Sequence, residues 1–528
     1  MAKVLMVHGY LLSGTGSNLY VRNVVKSMCE AGQDVDLVCQ EFTPQDYDFI
    51  AKCYKAQDDQ YHVAFERETP YPGTCEIYIP DIENELLVYV HDRYHDLHVQ
   101  EMRNATEEEI QAYIERNART IRHICENHDI AQIYSNHLVL QPQYVAKGIE
   151  DAGATIPHII IAHGSDLVYA VSQSAFLDRL SRTTLSSCAE LVAVSQDSKQ
   201  AMQNYYHDMD LSGCKVIPAG LDEQLYVDMS PDEERSLLEE YIDAVDQGNG
   251  FSTKQSQMIE KMIEQDSYDF EMVQESYEAK DIEVDIKDKL FDMLYRRDTK
   301  KVIYLGKYLE QKGLIPLVLG LPLLYAKDPL INVILVGFGA LRAQLEYIIQ
   351  LIKLGKVDVV FDQASQLGVA LEQDRRSLDE LQHLLSNAQD LALYKKGTDL
   401  MDENTLFTGF LDQKYAVRIL CHGTVGIFPS LTREAFGMVG IEAMASKTKP
   451  LCTRHSGLKE TLKVAAEHIP GLDINDYSVP LDEHLIINIV DKTGLLLDEE
   501  NDGLVQEMST FALGNYGWKG ITQELMAL

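Results

Sequence analysis

The chain has 528 residues, enough for two to four domains that each bury a substantial core. Apolar residues at 45% and charged residues at 24% are typical of a folded globular protein and exclude a disordered chain. The 46 basic and 83 acidic residues give a net charge of −37, which repels phosphate backbones and anionic lipids. We therefore expect no nucleic-acid partner.

Features of the termini and cysteines predict a cytoplasmic protein. Nine cysteines occur without any C-x-x-C pair, which favours reduced core residues over disulfides or a zinc site. The chain starts directly on the apolar run at Val4, with no pattern of a secretory leader. The most apolar stretch, Leu314–Ala326, contains two prolines and is too short to cross a bilayer. We predict a buried helix or connection there and no integral membrane segment.

Short apolar runs alternate with helical patterns through the first 222 residues, which predicts a parallel sheet. The runs are Val4–Val7, Val35–Val38, Leu86–Val90, Ala131–Tyr134, Ile159–Ala162, Leu191–Val194 and Lys215–Ile217. Their nearly continuous apolar character is typical of strands covered by helices on both faces. We predict one doubly wound, Rossmann-like α/β domain over residues 1–222.

A second series of runs predicts a second domain of the same class over residues 298–510. Its strands are predicted at Val302–Leu305, Val333–Val336, Leu406–Thr408, Gly426–Phe428, Pro450–Thr453 and Gly494–Leu497. Residues 230–297 are rich in Asp and Glu and carry apolar residues at helical spacing, so they are predicted to be an acidic helical insertion. A further polar helical insertion is predicted at about 355–402.

Open α/β sheets bind ligands beyond the carboxyl ends of their strands, and in the second domain these ends carry charged residues. Lys307 and Lys312 follow the strand that ends at Leu305, beside turns that contain Gly306 and Gly313. Two ammonium groups near the start of a helix are suited to a phosphate or diphosphate. The alternative is that both lysines are solvated surface residues.

Two glutamates, Glu434 and Glu442, stand eight positions apart where a helix is predicted to open. We expect Glu434 at the mouth of that helix, beside the backbone amides of Phe436, Gly437 and Met438, and Glu442 two turns further on. One carboxylate could hold a sugar and the other a ribose. The alternative is an N-terminal glutamate stabilised by the helix dipole, with a chance partner.

The order of these motifs resembles the nucleotide-sugar domain of family-4 glycosyltransferases, which have the GT-B fold. The residues that carry the resemblance in the second half are Gly306-Lys307, Lys312-Gly313, Val336-Gly337-x-Gly339, Phe407-Thr-Gly409, Pro429-Ser430 and Glu434-x7-Glu442-Ala-Met-Ala. In the first half they are Gly14-Thr-Gly16-Ser17, His163-Gly164-Ser-Asp166, Val194-Ser195 and Pro218-Ala-Gly220-Leu-Asp222. The resemblance implies α/β architecture with two Rossmann-like domains facing across a cleft, plus the helical insertions. It also implies that residues 511–528, with Gly517-Trp518, form a C-terminal crossover helix.

The resemblance further implies a role for each matching residue. Glu434, His163 and Lys312 would act on the transferred sugar and the leaving diphosphate. The donor-binding residues would be Lys307, Lys312, Phe436, Gly437, Met438, Glu442, Gly14 and Gly16. The family usually has Arg where this chain has Lys307, so the paired hydrogen bonds of a guanidinium are lost there. Family members retain the anomeric configuration and need neither a divalent metal nor a cofactor, so none is expected here.

The acceptor side is less defined by the sequence. Asn136, His137 and Asp166 are candidate acceptor residues, although His137 could equally be a structural histidine. His91, His95 and His98 cluster after a predicted strand, where they could bind zinc, line an acceptor pocket or lie on the surface.

These patterns predict a retaining glycosyltransferase that uses a nucleoside diphosphate sugar, with a UDP-sugar as the expected donor. The alternative is a noncatalytic nucleotide-sugar-binding subunit of a glycosyltransferase complex, with the acidic insertion as its docking surface. We expect the acidic insertion to lie outside the donor site.

Overall fold

The computed structural model describes residues 2–57, 60–89, 97–245, 250–267, 282–363 and 371–528. The chain forms two compact units, Met1–Asp222 with Tyr516–Leu528, and Glu223–Asn515. The first unit thus includes the last residues of the chain. The acidic insertion forms no unit of its own, because its residues belong to the second unit.

The first unit alternates strands and helices for most of its length. Its elements are β1 (Lys3–Val7), α1 (Gly16–Glu30), β2 (Val35–Val38), β3 (Ile50–Gln57), β4 (Gln60–Glu66), β5 (Cys75–Ile79), β6 (Glu85–Val88), β7 (His98–Glu101), α2 (Glu107–Asn127), β8 (Ile130–Asn136), α3 (Gln141–Asp151), β9 (His158–Ala162), α4 (Ser165–Tyr169), α5 (Ala175–Leu185), β10 (Glu190–Ala193), α6 (Gln196–Tyr205) and β11 (Lys215–Val216).

Nine of these strands form one sheet in the order β11-β10-β9-β8-β1-β2-β5-β3-β4. All neighbours are parallel except the β3–β4 pair, which is an antiparallel hairpin. The strand order reverses between β1 and β8, which makes their carboxyl ends a topological switch point. Helices α2 and α6 begin with side-chain caps from Thr106 and Ser195, which explains where each helix starts.

The first sheet differs from the sequence prediction at one edge. Residues 86–88 of the run predicted at Leu86–Val90 lie in β6, which pairs with β7 in a separate two-stranded sheet, so the assignment of this run to the main sheet was wrong. Three strands of the main sheet, β3 to β5, were not predicted. Strand β4 is largely exposed and β3 is partly buried, and both carry polar residues, so they lack the continuous apolar pattern of the central strands.

The second unit contains two helical insertions and a parallel sheet. Its elements are α7 (Pro231–Val245), α8 (Thr253–Glu264), α9 (Lys287–Tyr295), β12 (Lys300–Leu305), α10 (Leu314–Lys327), β13 (Ile331–Val336), α11 (Arg342–Lys353), α12 (Val357–Asp362), α13 (Glu372–Leu385), α14 (Ala388–Thr398), α15 (Met401–Asn404), β14 (Thr405–Phe407), α16 (Gln413–Cys421), β15 (Val425–Phe428), α17 (Met438–Ala445), β16 (Lys449–Thr453), α18 (Ser456–His468), β17 (Ser478–Val479), α19 (Leu485–Asp498) and α20 (Asp502–Tyr516).

The six strands of this sheet run in the order β14-β13-β12-β15-β16-β17, and all are parallel. This is the Rossmann order, with its switch point between β12 and β15. The strand predicted at Gly494–Leu497 is wrong, because these residues form the last turns of α19 and the sixth strand is Ser478–Val479. A short apolar run cannot by itself distinguish a strand from a buried helix segment.

The apolar stretch predicted to be buried forms α10, whose side chains are covered by neighbouring helices. Tyr394 of α14, for example, donates a hydrogen bond from its hydroxyl to the Leu319 carbonyl at 3.1 Å. In the part of the chain that the structure describes, no helix is both long enough and apolar enough to span a membrane.

The chain ends in α21 (Trp518–Met526), which packs on the first unit. The backbone N–H of Trp518 donates to the Leu221 carbonyl at 3.1 Å, and the Tyr134 hydroxyl donates to the Leu525 carbonyl at 2.8 Å. The indole of Trp518 meets the ring of Tyr20 edge to face, with centroids 5.4 Å apart. These contacts attach the returning helix to α1 and the central strands.

Candidate functional site

The switch point of the second unit brings together residues that follow β12 and β15. Lys307 and Lys312 come after β12, whereas Ser430 and Glu434 come after β15. Because β12 and β15 are adjacent and parallel, both segments leave the same edge of the sheet. The crevice beyond such an edge is the usual ligand site of an open α/β sheet.

Lys312 and Glu434 form an ion pair at the centre of this site. The Lys312 Nζ lies 2.5 Å from Glu434 Oε1, and the Ser430 hydroxyl donates to the same oxygen at 2.6 Å. Burial opposes ionisation of the Glu434 carboxyl, but the Lys312 charge and the two hydrogen bonds outweigh it, so its pKa lies below the ordinary value. Glu434 is therefore a carboxylate at neutral pH.

The turn that carries Lys312 is packed directly against the end of β15. Gly313 has φ +71°, and a Cβ atom there would lie 1.9 Å from the Pro429 carbonyl oxygen, so only glycine fits. On the other side, the Glu434 N–H donates to the Ser456 hydroxyl at 2.9 Å. Backbone packing thus fixes both partners of the ion pair. Ser456 was not predicted as a site residue, and its only signal was its position after β16.

Glu434 does not lie on a helix, contrary to the predicted two-turn spacing. Helix α17 begins at Met438, and Gly437 precedes it in the left-handed conformation with φ +78°. Glu434 therefore belongs to the loop after β15, and Glu442 alone is helical. Phe436 is buried, so the segment between the carboxylates is anchored by its aromatic ring. The glycine at 437 permits a sharp turn that the sequence spacing alone did not indicate.

Glu442 is buried and has a different environment from Glu434. The Gln413 side-chain amide donates to its Oε1 at 3.3 Å. Burial raises the pKa of the Glu442 carboxyl, and this hydrogen bond offsets the rise only in part. The pKa values of the two glutamates are therefore shifted in opposite directions. Gln413 was not predicted, because nothing in its sequence context marks it.

Lys307 lies close to an aromatic ring. Its Nζ lies 5.7 Å from the centroid of the Phe338 ring, within range of a cation–π interaction. Phe338 stands between Gly337 and Gly339, the two glycines that follow β13. The Tyr304 hydroxyl donates to the Lys307 carbonyl at 2.9 Å and fixes its backbone. The two lysines are thus oriented by different neighbours.

The switch point of the first unit carries a second cluster, built from neutral side chains. His163 follows β9, and its Nε2 lies 2.8 Å from Asn136 Oδ1 at the end of β8. The Asn136 amide nitrogen donates to the Val7 carbonyl at 3.0 Å, so Oδ1 is the acceptor and His163 Nε2 carries the proton. Burial lowers the pKa of His163 to about 3.

His137 and His8 complete this cluster. The His137 ring centroid lies 4.9 Å from that of His163 and 5.8 Å from that of His8. Burial lowers the pKa of His8 to about 4 and that of His137 well below its ordinary value. His8 donates through Nε2 to Asn18 at 2.9 Å. His8 was not predicted, although its place directly after β1 could have identified it.

The remaining predicted residues of the first unit lie around this cluster or apart from it. Asp166 is in the first turn of α4 and accepts a hydrogen bond from the Leu138 N–H, while burial raises its pKa to about 6. Gly14 has φ +93° in the loop after β1, and Gly16 is the first residue of α1.

The predicted histidine motif is only partly described. His98 is 70% exposed, and its Nδ1 lies 2.7 Å from Glu85. His91 and His95 lie outside the described residues. Elsewhere, Asp36, Glu76 and His128 have the spacing of metal ligands. However, the Lys3 ammonium lies 2.9 Å from Asp36 and 2.8 Å from Glu76, so a cationic side chain already neutralises these carboxylates.

Comparisons with known proteins give one family match and several similar structures. Residues 397–477 match the family model described as glycosyl transferases group 1. The HepE protein of Anabaena, solved with UDP and glucose, is similar in structure, with a TM-score of 0.53 and 13% identity over 100% of this chain and 99% of that chain. A glycosyltransferase from Rickettsia africae has a TM-score of 0.51 and 14% identity, covering 100% of this chain and 97% of that chain.

A trehalose-6-phosphate protein from E. coli, solved with UDP-2-fluoro glucose, has a TM-score of 0.54 and 11% identity over 100% of this chain and 98% of that chain. No curated protein matches the chain in sequence. At these identities the likeness establishes the fold alone. The chain has the GT-B fold, with two Rossmann-like domains built on parallel sheets.

Proposed function

We propose that this protein is a retaining glycosyltransferase that transfers a sugar from a UDP-sugar to a hydroxyl acceptor. The observation that carries the proposal is the Lys312–Glu434 ion pair at the switch point of the second unit, with Ser430 on the same carboxylate oxygen. The match of residues 397–477 to glycosyl transferases group 1 supports it, because that segment includes Ser430, Glu434 and Glu442. UDP as the nucleotide is suggested by the ligands of the similar structures.

The two lysines bind the diphosphate. An ammonium group has three N–H donors, and one of those on Lys312 is used by Glu434, which leaves others for phosphate oxygens. Lys307, oriented by Phe338, adds a second positive charge. Fixed cations stabilise the negative charge that develops on the leaving diphosphate, so they raise the rate as well as the affinity. The same charges are the reason that we propose activity without a divalent metal.

The two glutamates bind different parts of the donor. Glu434, held ionised, accepts hydrogen bonds from hydroxyl groups of the transferred sugar, and the backbone amides of Phe436, Gly437 and Met438 lie in the segment that follows it. Glu442 pairs with the ribose hydroxyls. At the reacting carbon, the bond to the phosphate oxygen breaks, and the bond to the acceptor oxygen forms on the same face. The acceptor proton passes to the leaving phosphate.

No covalent nucleophile is assigned. Glu434 is the carboxylate that we assign to the transferred sugar. One of its oxygens receives hydrogen bonds from both Lys312 and Ser430, which lowers its nucleophilicity. The buried neutral cluster of His163, Asn136 and His137 is assigned to the acceptor and the transferred sugar. Its neutral groups can exchange hydrogen bonds with hydroxyls without the cost of burying a charge.

The test is release of UDP from a panel of UDP-sugars, with EDTA present throughout, first without an acceptor and then with simple sugars and alcohols. We expect slow hydrolysis of one UDP-sugar, faster release with a suitable acceptor, and a product that keeps the anomeric configuration by NMR. Binding without any turnover would favour the noncatalytic subunit. An absence of binding, or inversion at the anomeric carbon, would contradict the proposal.

A further inference from the structure

The loop at residues 408–412 joins β14 to α16 and contacts two features of the proposed donor site, and the residue that follows the loop contacts a third. Gly409 forms an antiparallel bridge with Gly337. The Phe410 ring meets the Phe338 ring edge to face at 5.1 Å, and Phe338 orients Lys307. The first residue after the loop, Gln413, donates to the buried Glu442. The conformation of loop 408–412 therefore affects both the lysine side and the glutamate side of the site.

The acidic insertion at residues 230–297 holds this loop at both ends. At one end, the Glu283 N–H donates to the Thr408 carbonyl at 2.9 Å, and Ile282 bridges to Gly409. At the other end, the Tyr241 hydroxyl accepts a hydrogen bond from the Asp412 N–H at 3.3 Å. The insertion was expected to lie outside the donor site, and these contacts show that its residues pair with the backbone of a loop at the carboxyl end of β14.

Aromatic stacking strengthens the contact at the second end. The Tyr241 ring, on α7 of the insertion, stacks on the Tyr415 ring with centroids 3.7 Å apart and an interplanar angle of 17°. Tyr415 lies in the first turn of α16, the helix that also carries Gln413. Stacked rings of this kind stabilise a contact beyond the effect of the area that they bury. The insertion thus fixes the start of the helix that presents Gln413 to Glu442.

Glu283 is itself fixed by a buried ion pair with Arg342 of α11. The guanidinium donates to both carboxylate oxygens, at 2.5 and 3.0 Å, and the side chains of Arg342 and Glu283 are only 4% and 7% exposed. The guanidinium also lies between two rings, 4.1 Å from the centroid of Phe251 and 3.9 Å from that of Phe407. Phe251 belongs to the insertion and Phe407 ends β14, so Arg342 joins the two.

This arrangement has an energetic consequence for the loop. Loops are ordinarily the least stable parts of a fold and open most readily. Loss of one partner from a buried charge pair is destabilising. Arg342 would keep its second carboxylate partner, Glu346 at 3.1 Å, but would lose the two hydrogen bonds that tie it to Glu283. A change in Glu283 should therefore loosen the segment whose backbone N–H holds Thr408. The ion pair acts on the site through loop 408–412 and does not itself reach a ligand.

We propose that the acidic insertion positions loop 408–412 as the wall of the nucleoside pocket, with Glu283, Arg342 and Tyr241 as positioning residues. The inference rests on the proposed function, because it needs a nucleoside diphosphate at the Lys312–Glu442 site. It assigns the insertion to recognition of the nucleoside part of the donor. The insertion is therefore part of the donor site's supporting structure.

Two measurements on the full-length protein test the inference. The first is hydrogen exchange of peptides that cover residues 408–412, and the second is calorimetric titration with UDP. The variants are Glu283→Gln and Tyr241→Ala. The first removes the negative charge that Glu283 presents to Arg342, and the second removes the ring of the partly exposed Tyr241 that stacks on Tyr415. Glu239→Gln is the matched control, since Glu239 pairs with Lys287 on the exposed side of the same insertion.

We expect faster exchange of loop 408–412 and an about tenfold higher Kd for UDP in both positioning variants, equal to about 1.4 kcal/mol, with one binding site per chain still counted. The control should match the unmodified protein. A partly unfolded sample would lower the number of sites and leave Kd unchanged, so stoichiometry separates misfolding from positioning. If Glu283→Gln does not fold, Tyr241→Ala gives the same readouts.

Unchanged hydrogen exchange of loop 408–412 in folded variants would overturn the proposal that the insertion positions this loop. Faster exchange with an unchanged Kd for UDP would overturn the link to the nucleoside pocket. If the unmodified protein does not bind UDP at all, the proposed function fails first and the inference fails with it. The exchange measurement needs no ligand, so these three failures are distinguishable.

Discussion

The two switch points of this protein have the same topology, but one carries charged side chains and the other carries neutral ones. In the second unit, Lys312 and Glu434 are 33% and 22% exposed and form a charged pair. In the first unit, His8 and His137 have no solvent exposure, His163 has little, and burial keeps all three neutral. Both clusters follow adjacent parallel strands where the strand order reverses.

The difference shows that a Rossmann-like sheet determines where a ligand binds, while the strand-end residues determine which ligand is accepted. A partly exposed ion pair with further N–H donors on Lys312 is suited to an anionic diphosphate. A buried set of neutral imidazoles carries no charge to attract an anion, and it can exchange hydrogen bonds with hydroxyl groups. In the proposed reaction, the charged cluster therefore binds the leaving group and the neutral cluster binds the acceptor.

Acidification should give the largest effect, and it should act on the first unit. The pKa of His8 is lowered from 6.5 to about 4, so the unfolded chain binds a proton that the folded chain does not between those pH values. The contribution of His8 to the free energy of unfolding should therefore be fully present above pH 6.5. It should fall as the pH decreases toward 4, by about 3 kcal/mol for this one group. His163 and His137 should add to the fall.

The measurement is urea unfolding at pH 7 and pH 4.5, followed by fluorescence of Trp518, the single tryptophan, which packs in the first unit. His8→Gln should reduce the pH dependence, because glutamine cannot take up the proton. His207→Gln is the control in the same unit, since His207 is exposed. Equal pH dependence in His8→Gln and the control would contradict the neutral cluster.

Glu434→Gln should lower kcat by tens to hundreds-fold, which corresponds to about 2–3 kcal/mol of transition-state stabilisation. The carboxylate is assigned to the reacting sugar, where charge changes most as the bond breaks. Glu442→Ala should mainly raise KM, since the ribose does not react. Glu467→Gln, an exposed pair with Lys463, is the control. A wild-type transfer rate in folded Glu434→Gln would rule out this loop as the reacting centre.

A direct comparison of the two clusters is a titration with UDP, which carries the diphosphate and no sugar. Lys312→Met should weaken UDP binding at least tenfold, because a charge-assisted hydrogen bond contributes about 1.5–3 kcal/mol. His163→Ala should leave UDP binding unchanged and lower the transfer rate. Lys327→Met, at an exposed ion pair with Asp491, is the control. Weaker UDP binding in His163→Ala, with unchanged UDP binding in Lys312→Met, would reverse the assignment of the two clusters.

Salt should have the smallest effect. A net charge of −37 repels itself, and salt screens that repulsion over about 10 Å at 0.1 M. The Tm should therefore rise by a few degrees between low and molar sodium chloride in differential scanning calorimetry. The Lys312–Glu434 pair is only partly buried, so UDP binding should weaken over the same range. A flat or falling Tm would contradict net repulsion as a significant cost.

Sequence patterns predicted the central strands of both sheets because those strands are apolar on both faces. The prediction failed where that cause is absent: the hairpin of β3 and β4 carries polar residues and is partly exposed, and the run at Gly494–Leu497 is the buried end of a helix. The order of the strands within each sheet could not be predicted from the sequence, because parallel strands pair across long stretches of chain. The switch points, and with them the places of the sites, come from that order.

Single motifs singled out residues of both clusters, including His163 in the neutral one, but not several of the residues that hold them. Lys312, Ser430 and Glu434 belong to motifs with distinctive spacing, so the sequence could single them out. His8, Asn18 and Gln413 have no such motif, and each acquires its role from a neighbour more than nine positions away in the chain. The spacing of Glu434 and Glu442 was read as two helical turns, whereas Gly437 starts the helix after Glu434.

The sequence by itself determined that this is a two-part α/β protein with lysines and glutamates at its strand ends, because local periodicity and local motifs encode those features. Only the tertiary structure decided that Lys312 pairs with Glu434, that three histidines are buried neutral together, and that the acidic insertion holds loop 408–412 through Glu283. The physical reason is that pairing, burial and the resulting charge states depend on which distant segments pack against each other.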